Sequence, residues 1–177
     1  MSEEKVILVD SNDKQIGLMP KMEAHEKGLL HRAFSVFILN NESGELMLQQ
    51  RAFDKYHSPG LWTNTCCSHQ REGESNVEAG KRRLIEEMGF ETELTDLVSF
   101  IYKAPFDNGL TEHEFDHVLI GYFEESPIIN PTEVAAWKWM PIEAIKSDLN
   151  KHPEVYTEWF KIIFNEFYET LYSQVKK

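Results

Sequence analysis

The sequence is short of three things, and each shortage excludes a class of protein. It has two cysteines in 177 residues, Cys66 and Cys67, and they are neighbours. A bridge between them would close no long loop, so a disulfide framework is excluded and a reducing, intracellular compartment is expected. Long apolar runs are missing as well. No stretch approaches the roughly 20 residues needed to cross a bilayer, and the opening MSEEKVILVD lacks the basic-then-apolar order of a secretory signal. A cytoplasmic protein with no membrane partner is therefore expected. Positive charge is also scarce, with 18 Lys and Arg against 30 Asp and Glu, a formal net charge of −12. Such a balance argues against a nucleic-acid partner and against anionic lipid; an anionic ligand would need local cations or metals to overcome the global field.

What is present suits a packed domain. A hydrophobic content of 41% over this length is enough to bury a sizeable core, and no repeat, low-complexity tract or linker divides residues 1–177, so one domain is expected. Short strands are expected at Val6–Val9 and Ile16–Met19, across the turn-forming SNDK. AFSVFIL (33–39) is nearly all apolar and β-prone, as a strand buried on both faces would be. ELMLQQ follows, then a loop around Ser58, Pro59 and Gly60, then LWTNTCCSH, read as extended. Ser75 and Glu78 form a capping box, and Gly89 is placed to end the helix it starts, with Val77, Leu84, Ile85 and Met88 at helical spacing. Further strands are expected at 97–102, 114–123 and 136–140. Pro141 can start one helix, and Pro153 another with Trp159, Ile162, Ile163 and Phe167 on its apolar stripe. This order predicts an α+β fold, a mixed sheet with helices packed over it.

Three stretches carry candidate chemistry. In an extended TNTCCSH, residues two apart share a face, so Cys67 points with His69 while Cys66 points away. An isolated C-x-H is more often two buried thiols beside an ordinary histidine. In TEHEFDH, Glu112, Glu114 and Asp116 fall on one side of a strand, where three carboxylates repel unless a cation sits among them. A solvated acidic edge is the plainer reading. Convergence of His25, His31 and His69 on those carboxylates would make the N/O donor set of a divalent transition metal. On the capped helix, Arg82–Glu86 and Arg83–Glu87 are i,i+4 pairs that are ordinarily surface salt bridges. Alternatively Glu86 or Glu87 holds magnesium and Arg83 meets a phosphate, with Lys21, Arg51 and Lys55 as further phosphate contacts.

GESNVEAGKRRLIEEMGF resembles the helix motif of the Nudix superfamily through Glu74, Arg82, Leu84, Glu86, Glu87 and Gly89, with Ser68 in place of its first glycine and Arg83 in place of its first helix glutamate. A cation at 83 should weaken the magnesium-and-water chemistry of a Nudix hydrolase while favouring phosphate binding. The blocks EKGLLHRAFSVF, TNTCCSH, RRLIEEMG, Glu112-His113-Glu114 and Glu158-Trp159, in that order, are similar to the type I isopentenyl-diphosphate isomerases, a Nudix branch. Gln70 departs from them, standing where they usually have proline, which should alter the turn more than the chemistry.

That resemblance implies a Nudix-like α/β/α sandwich and a small-molecule diphosphate substrate, with no obligate protein partner. It implies catalytic roles for Cys67, Glu114, Tyr102 and Trp159. It further implies a divalent metal (Mn2+, Zn2+ or Mg2+) on His25, His31, His69, Glu112 and Glu114, and Mg2+ on Glu87. The implied reaction adds a proton to one alkene carbon and removes one from another through a carbocation-like state, so acid and base must flank the substrate away from bulk water. Either Cys67 or Glu114 could give the first proton. Trp159, equally readable as a core aromatic, could stabilise the cation by about 2 kcal/mol when desolvated, against on the order of 8 kcal/mol or more for enzymatic acceleration. Positioning and electrostatics must supply the rest. The competing readings are a Nudix hydrolase of a nucleoside diphosphate derivative, a non-enzymatic binding module and a zinc-structural interaction protein.

Overall fold

A computed structural model describes residues 4–55, 57–106 and 108–175. In chain order the elements are β1 (Lys5–Val9), β2 (Gln15–Pro20), α1 (Lys21–Lys27), β3 (His31–Asn40), β4 (Glu45–Arg51), β5 (Trp62–Thr63), β6 (Cys66–Ser68), α2 (Asn76–Met88), β7 (Thr95–Pro105), β8 (Thr111–Tyr122), β9 (Val134–Pro141), α3 (Ile142–Lys151) and α4 (Glu158–Val175). The nine strands among the described residues join in one sheet. It is mixed: β3 runs parallel to β8, and the remaining ladders are antiparallel. Among the described residues no helix is long and apolar enough to cross a membrane.

Strand β3 accounts for the layers. Its side chains alternate between faces, and both faces are covered, which is why its sequence is apolar almost throughout. Phe34, Val36 and Ile38 pack with Cys66, Ala79, Leu84 and Met88 in a core under α2. Phe37 and Leu39 point the other way, into a core with Ile142, Ile145, Phe160, Ile163 and Phe164 of α3 and α4. Helices thus cover both faces of a mixed sheet, the α+β sandwich that the order of elements predicts.

The site arises where this sheet opens. β3 and β4 pair only at Leu39–Leu46 and Asn40–Glu45, next to their connecting turn, and then diverge. The chain from 62 to 68 fills the gap: β5 pairs with β4, and β6 pairs with β3. Between them, Thr65 Oγ1 accepts from Ile38 N at 2.9 Å and donates to Met47 O at 2.6 Å, bridging the two diverged strands. Asn64 Nδ2 donates to Val36 O and Cys66 O. The expected single extended segment is therefore two short strands broken at Asn64–Thr65, because those side chains replace ladder bonds. Gln70, buried, donates to Ala33 O and Asn76 Oδ1, and so braces the turn that leads from β6 to α2.

Helix α2 carries the expected capping box, with Ser75 Oγ accepting from Glu78 N and Glu78 Oε1 accepting from Ser75 N. Ile85, at helical spacing with the core positions, is instead 49% exposed. Helix α1 was not foreseen, although Pro20 precedes it and Gly28, at φ 66°, ends it. Pro153 heads a short 3-10 turn rather than the last helix. That helix begins at Glu158, where Thr157 Oγ1 accepts from Phe160 N as a cap. Thr157 N also donates to Trp62 O, and its hydroxyl to Thr63 Oγ1, which tethers the start of α4 to the segment filling the sheet.

Gly89 ends α2 at φ 73°, its N–H bonded to Leu84 O and Ile85 O, and a Cβ there would collide with the carbonyl oxygen of Ile128. Gly89→Ala should destabilise the chain by about 2–4 kcal/mol, from the left-handed backbone and the overpacking together. Urea unfolding measures this; a loss below about 1 kcal/mol, the cost of an ordinary surface change, would contradict it.

Candidate active site

Strands β3 and β8 run in register, His31 opposite Glu114 and Ala33 opposite Asp116, while antiparallel β6 sets Cys67 opposite Ser35. The alternation predicted for TEHEFDH holds: Glu112, Glu114 and Asp116 are buried, and His113 and Phe115 lie on the other face, more exposed. His25 comes from α1, which packs against β8 and presents this residue inward from its last turn. Its Nδ1 bonds Lys21 O at 2.8 Å, and His31 Nδ1 bonds Leu29 O at 2.9 Å. A carbonyl only accepts, so both Nδ1 atoms carry the hydrogen, and in the neutral rings the Nε2 lone pairs turn inward.

The Nε2 atoms of three histidines meet carboxylate oxygens. His25 Nε2 lies in close contact with Glu112 Oε1, His31 Nε2 is 3.5 Å from Glu114 Oε2, and His69 Nε2 is 3.0 Å from the same oxygen. One ligand atom from each of His25, His31, His69 and Glu114 fits within a 4.8 Å spread. Acceptor faces acceptor in a water-poor pocket unless a proton or a cation lies between. Burial disfavours charge on His31, and Glu114 outweighs it and raises its pKa. Burial pushes His69 down to about 4 against the pull of Glu114. Burial would raise Glu114 itself, but its bonds with His31, His69 and Glu112 hold it well below the usual carboxylate range. Burial and the Glu114 charge push Glu112 and Asp116 well above it. Of the five residues expected to share a metal, His25, His31, His69 and Glu114 bring donor atoms together, while Glu112 groups instead with His25 and His57; both sets are of the N/O type that suits a divalent cation.

Beside this centre lies a cavity of about 110 Å³. Lys21, Arg51, Lys55 and Arg83, the four expected phosphate contacts, all line it, as do Cys67, Glu87, Glu112, Glu114 and Trp159. Three of these cations are held by carboxylates: Lys21 Nζ by Glu4 at 3.1 Å, Lys55 Nζ by Glu133 at 2.8 Å, and Arg83 by Glu133 at 2.6 Å and Glu87 at 2.5 Å. Arg83–Glu87 is therefore no ordinary surface pair, since Glu87 is buried. Four cations and five acidic side chains line the cavity, so a diphosphate entering it meets charge of both signs. Arg82 has a different job, clamping Glu74 through both oxygens and donating to His69 O at 3.2 Å, which fixes the turn carrying His69.

Cys66 is fully buried in the core under α2 and Cys67 faces the cavity, as strand alternation requires. Burial raises both thiols, so Cys67 stays protonated at neutral pH. Tyr102, opposite Glu114 in the β7–β8 ladder, donates to Glu114 Oε1 at 2.7 Å. Trp159 belongs both to the core and to the cavity wall, with the Arg51 guanidinium 5.3 Å over its ring. Glu4, Gln49, His57, Ser68 and Glu133 also line the cavity, and none of them is among the candidate catalytic, phosphate or metal residues of the sequence. Strict alternation would turn Ser68 away with Cys66, and it fails at the end of so short a strand. Glu133 sits in a loop far from every motif, and only the fold brings it to Arg83.

Gln49 is 3% exposed, and its Nε2 donates to Thr65 O at 2.7 Å and Glu87 Oε1 at 2.9 Å. Gln49→Leu should cost about 1–3 kcal/mol by leaving both acceptors without that donor. Urea denaturation reads the loss; stability equal to the parent would contradict the assigned network.

The chain matches the NUDIX domain model over residues 29–160. It is 50% identical over 157 residues to isopentenyl-diphosphate Delta-isomerase 2 of Aromatoleum aromaticum, covering 89% of this chain and 82% of that protein. It is 51% identical over 163 residues to isopentenyl-diphosphate Delta-isomerase 2 of Photorhabdus laumondii, covering 92% of each. Among solved structures, a Deinococcus radiodurans protein superposes with a TM-score of 0.76 at 21% identity, over 92% of this chain and 98% of that one, a likeness of fold. Family model, long relatives and the Arg83 variant of the Nudix helix agree: the chain belongs to the type I isopentenyl-diphosphate isomerases of the Nudix superfamily.

Proposed function

We propose that this chain interconverts isopentenyl diphosphate and dimethylallyl diphosphate, with Cys67 and Glu114 as its two proton-transfer groups. The observation that carries the reading is that both groups line one small cavity whose wall also holds four cations. Lys21, Arg51, Lys55 and Arg83 grip the diphosphate, and the hydrocarbon tail lies between thiol and carboxylate. The Cys67 thiol, kept protonated by burial, is a proton donor, and Glu114, kept ionised by its neighbours, is an acceptor. Either can begin, since the reaction runs both ways. Tyr102 fixes the Glu114 carboxylate through a 2.7 Å bond, and Trp159 offers its ring to the developing cation.

His25, His31, His69, Glu112 and Glu114 would hold a divalent ion, with Mn2+, Zn2+ and Mg2+ all compatible with the N/O set, and Glu87 would hold Mg2+. When bound, these ions supply positive charge that holds the carboxylates in place and draws in the diphosphate. Hydrolysis is disfavoured because Arg83 stands where the Nudix helix has a glutamate, which removes one carboxylate from the magnesium-binding face. The reading is of one domain in the cytoplasm, isoprenoid biosynthesis being its setting; the single sheet and the two free thiols support it.

Cys67→Ala should abolish isomerisation, followed as dimethylallyl diphosphate formed, while Cys66→Ala should retain most of it; equal tolerance of both changes would refute the assignment. Tyr102→Phe removes a hydrogen bond to a charged group, worth about 1.5–3 kcal/mol, so kcat should fall about 10- to 100-fold. A kcat within about twofold of the parent would show that the bond does not bear on the reaction.

A further inference from the structure

The resemblance to the isomerases supplies three histidines for the metal centre, and the structure puts a fourth beside them. His57 is buried against the cavity, its ring centre 5.8 Å from that of His25, the same separation as between His25 and His69. Its Nε2 is 3.9 Å from Glu112 Oε1. One donor atom each from His25, His57 and Glu112 fits within 4.8 Å, so this set shares His25 with the His25–His31–His69–Glu114 set. The ring is fixed on its other sides: it stacks on Phe106 at 5.2 Å and 8°, and meets Trp159 edge-on at 5.8 Å. Its own backbone carbonyl accepts from Arg51 Nη2 at 3.2 Å.

A phenylalanine would fill that slot between two aromatic rings without the desolvation that an imidazole incurs. The position that an aromatic stack alone would give to phenylalanine is thus held by a residue with a nitrogen lone pair, aimed at the Glu112 side of the centre. We infer that His57 is a further nitrogen donor at the metal centre, acting through the set it forms with His25 and Glu112. The inference rests on the reading of that centre as a metal site. More imidazole donors favour borderline transition ions over magnesium and make the ion harder to extract.

The test uses the full chain, stripped by chelator and titrated with Co2+, with the visible absorption bands recorded and the dissociation constant obtained by competition with a chelator. His57→Phe keeps the stack and removes the nitrogen. Its Co2+ affinity should fall by about tenfold or more, as changes around metal ligands do, and its absorption bands should shift. A smaller loss, or bands unchanged from the parent, overturns the inference. His31→Ala separates the two levels of the argument: if the parent binds no more Co2+ than His31→Ala does, the metal centre itself is wrong, and this inference falls with it. Circular dichroism establishes folding, and His57→Leu, read by the same titration, replaces His57→Phe if the latter does not fold.

Discussion

The structure turns on an electrostatic conflict built into its interior. Two histidines spend their Nδ1 hydrogens on backbone carbonyls, Lys21 O and Leu29 O, and so turn Nε2 toward the oxygens of Glu112 and Glu114. In water such groups would be solvated; here they are nearly sealed. The pKa of Glu114 is held low by its bonds to His31, His69 and Glu112, while burial and the Glu114 charge push that of Glu112 up. A divalent cation would resolve the conflict for His25, His31, His69 and Glu114, whose donor atoms lie within 4.8 Å of one another. Tyr102 fixes the Glu114 carboxylate from the side of the cavity, and such a cation would add a second restraint.

Everything else in the fold serves to bring these groups to one place. The short pairing of β3 with β4 leaves a gap, and the chain that fills it delivers Cys67 and His69. Parallel pairing of β3 with β8 sets His31 opposite Glu114, and β7 sets Tyr102 opposite the same residue. Helix α2 adds Arg83 and Glu87 from one side and α4 adds Trp159 from another. A one-residue slip of β8 would turn Glu112, Glu114 and Asp116 away and bring His113 and Phe115 inward, so register is as necessary to the chemistry as residue type.

Much of this could be read from the sequence, and the reasons are specific. The capping box Ser75/Glu78 and the terminal Gly89 mark α2 because local chemistry at helix ends needs no tertiary information. Strand alternation separated Cys67 from Cys66 and grouped the three carboxylates, because a period of two is a property of the backbone alone. It failed at Ser68, at the end of a three-residue strand, and helical spacing failed at Ile85, which no neighbouring element covers. Pro153 was a misleading helix start because the true cap, Thr157, is defined by a side-chain bond four residues later. Glu133 and His57 were invisible for a different reason: each belongs to a loop, and its partners are brought to it only by the folded sheet. Helix α1 carried its signals, Pro20 before and Gly28 after, in a segment too short for apolar periodicity to register.

The central claim is that a thiol and a metal-anchored carboxylate exchange protons with one hydrocarbon tail. Its most direct test is to incubate the purified, magnesium-supplied protein with isopentenyl diphosphate in deuterated water and analyse the early product by mass spectrometry and NMR. Protonation from groups in exchange with solvent predicts dimethylallyl diphosphate carrying deuterium in a methyl group, with the diphosphate intact. Product free of deuterium, or release of phosphate in place of isomerisation, would contradict the account.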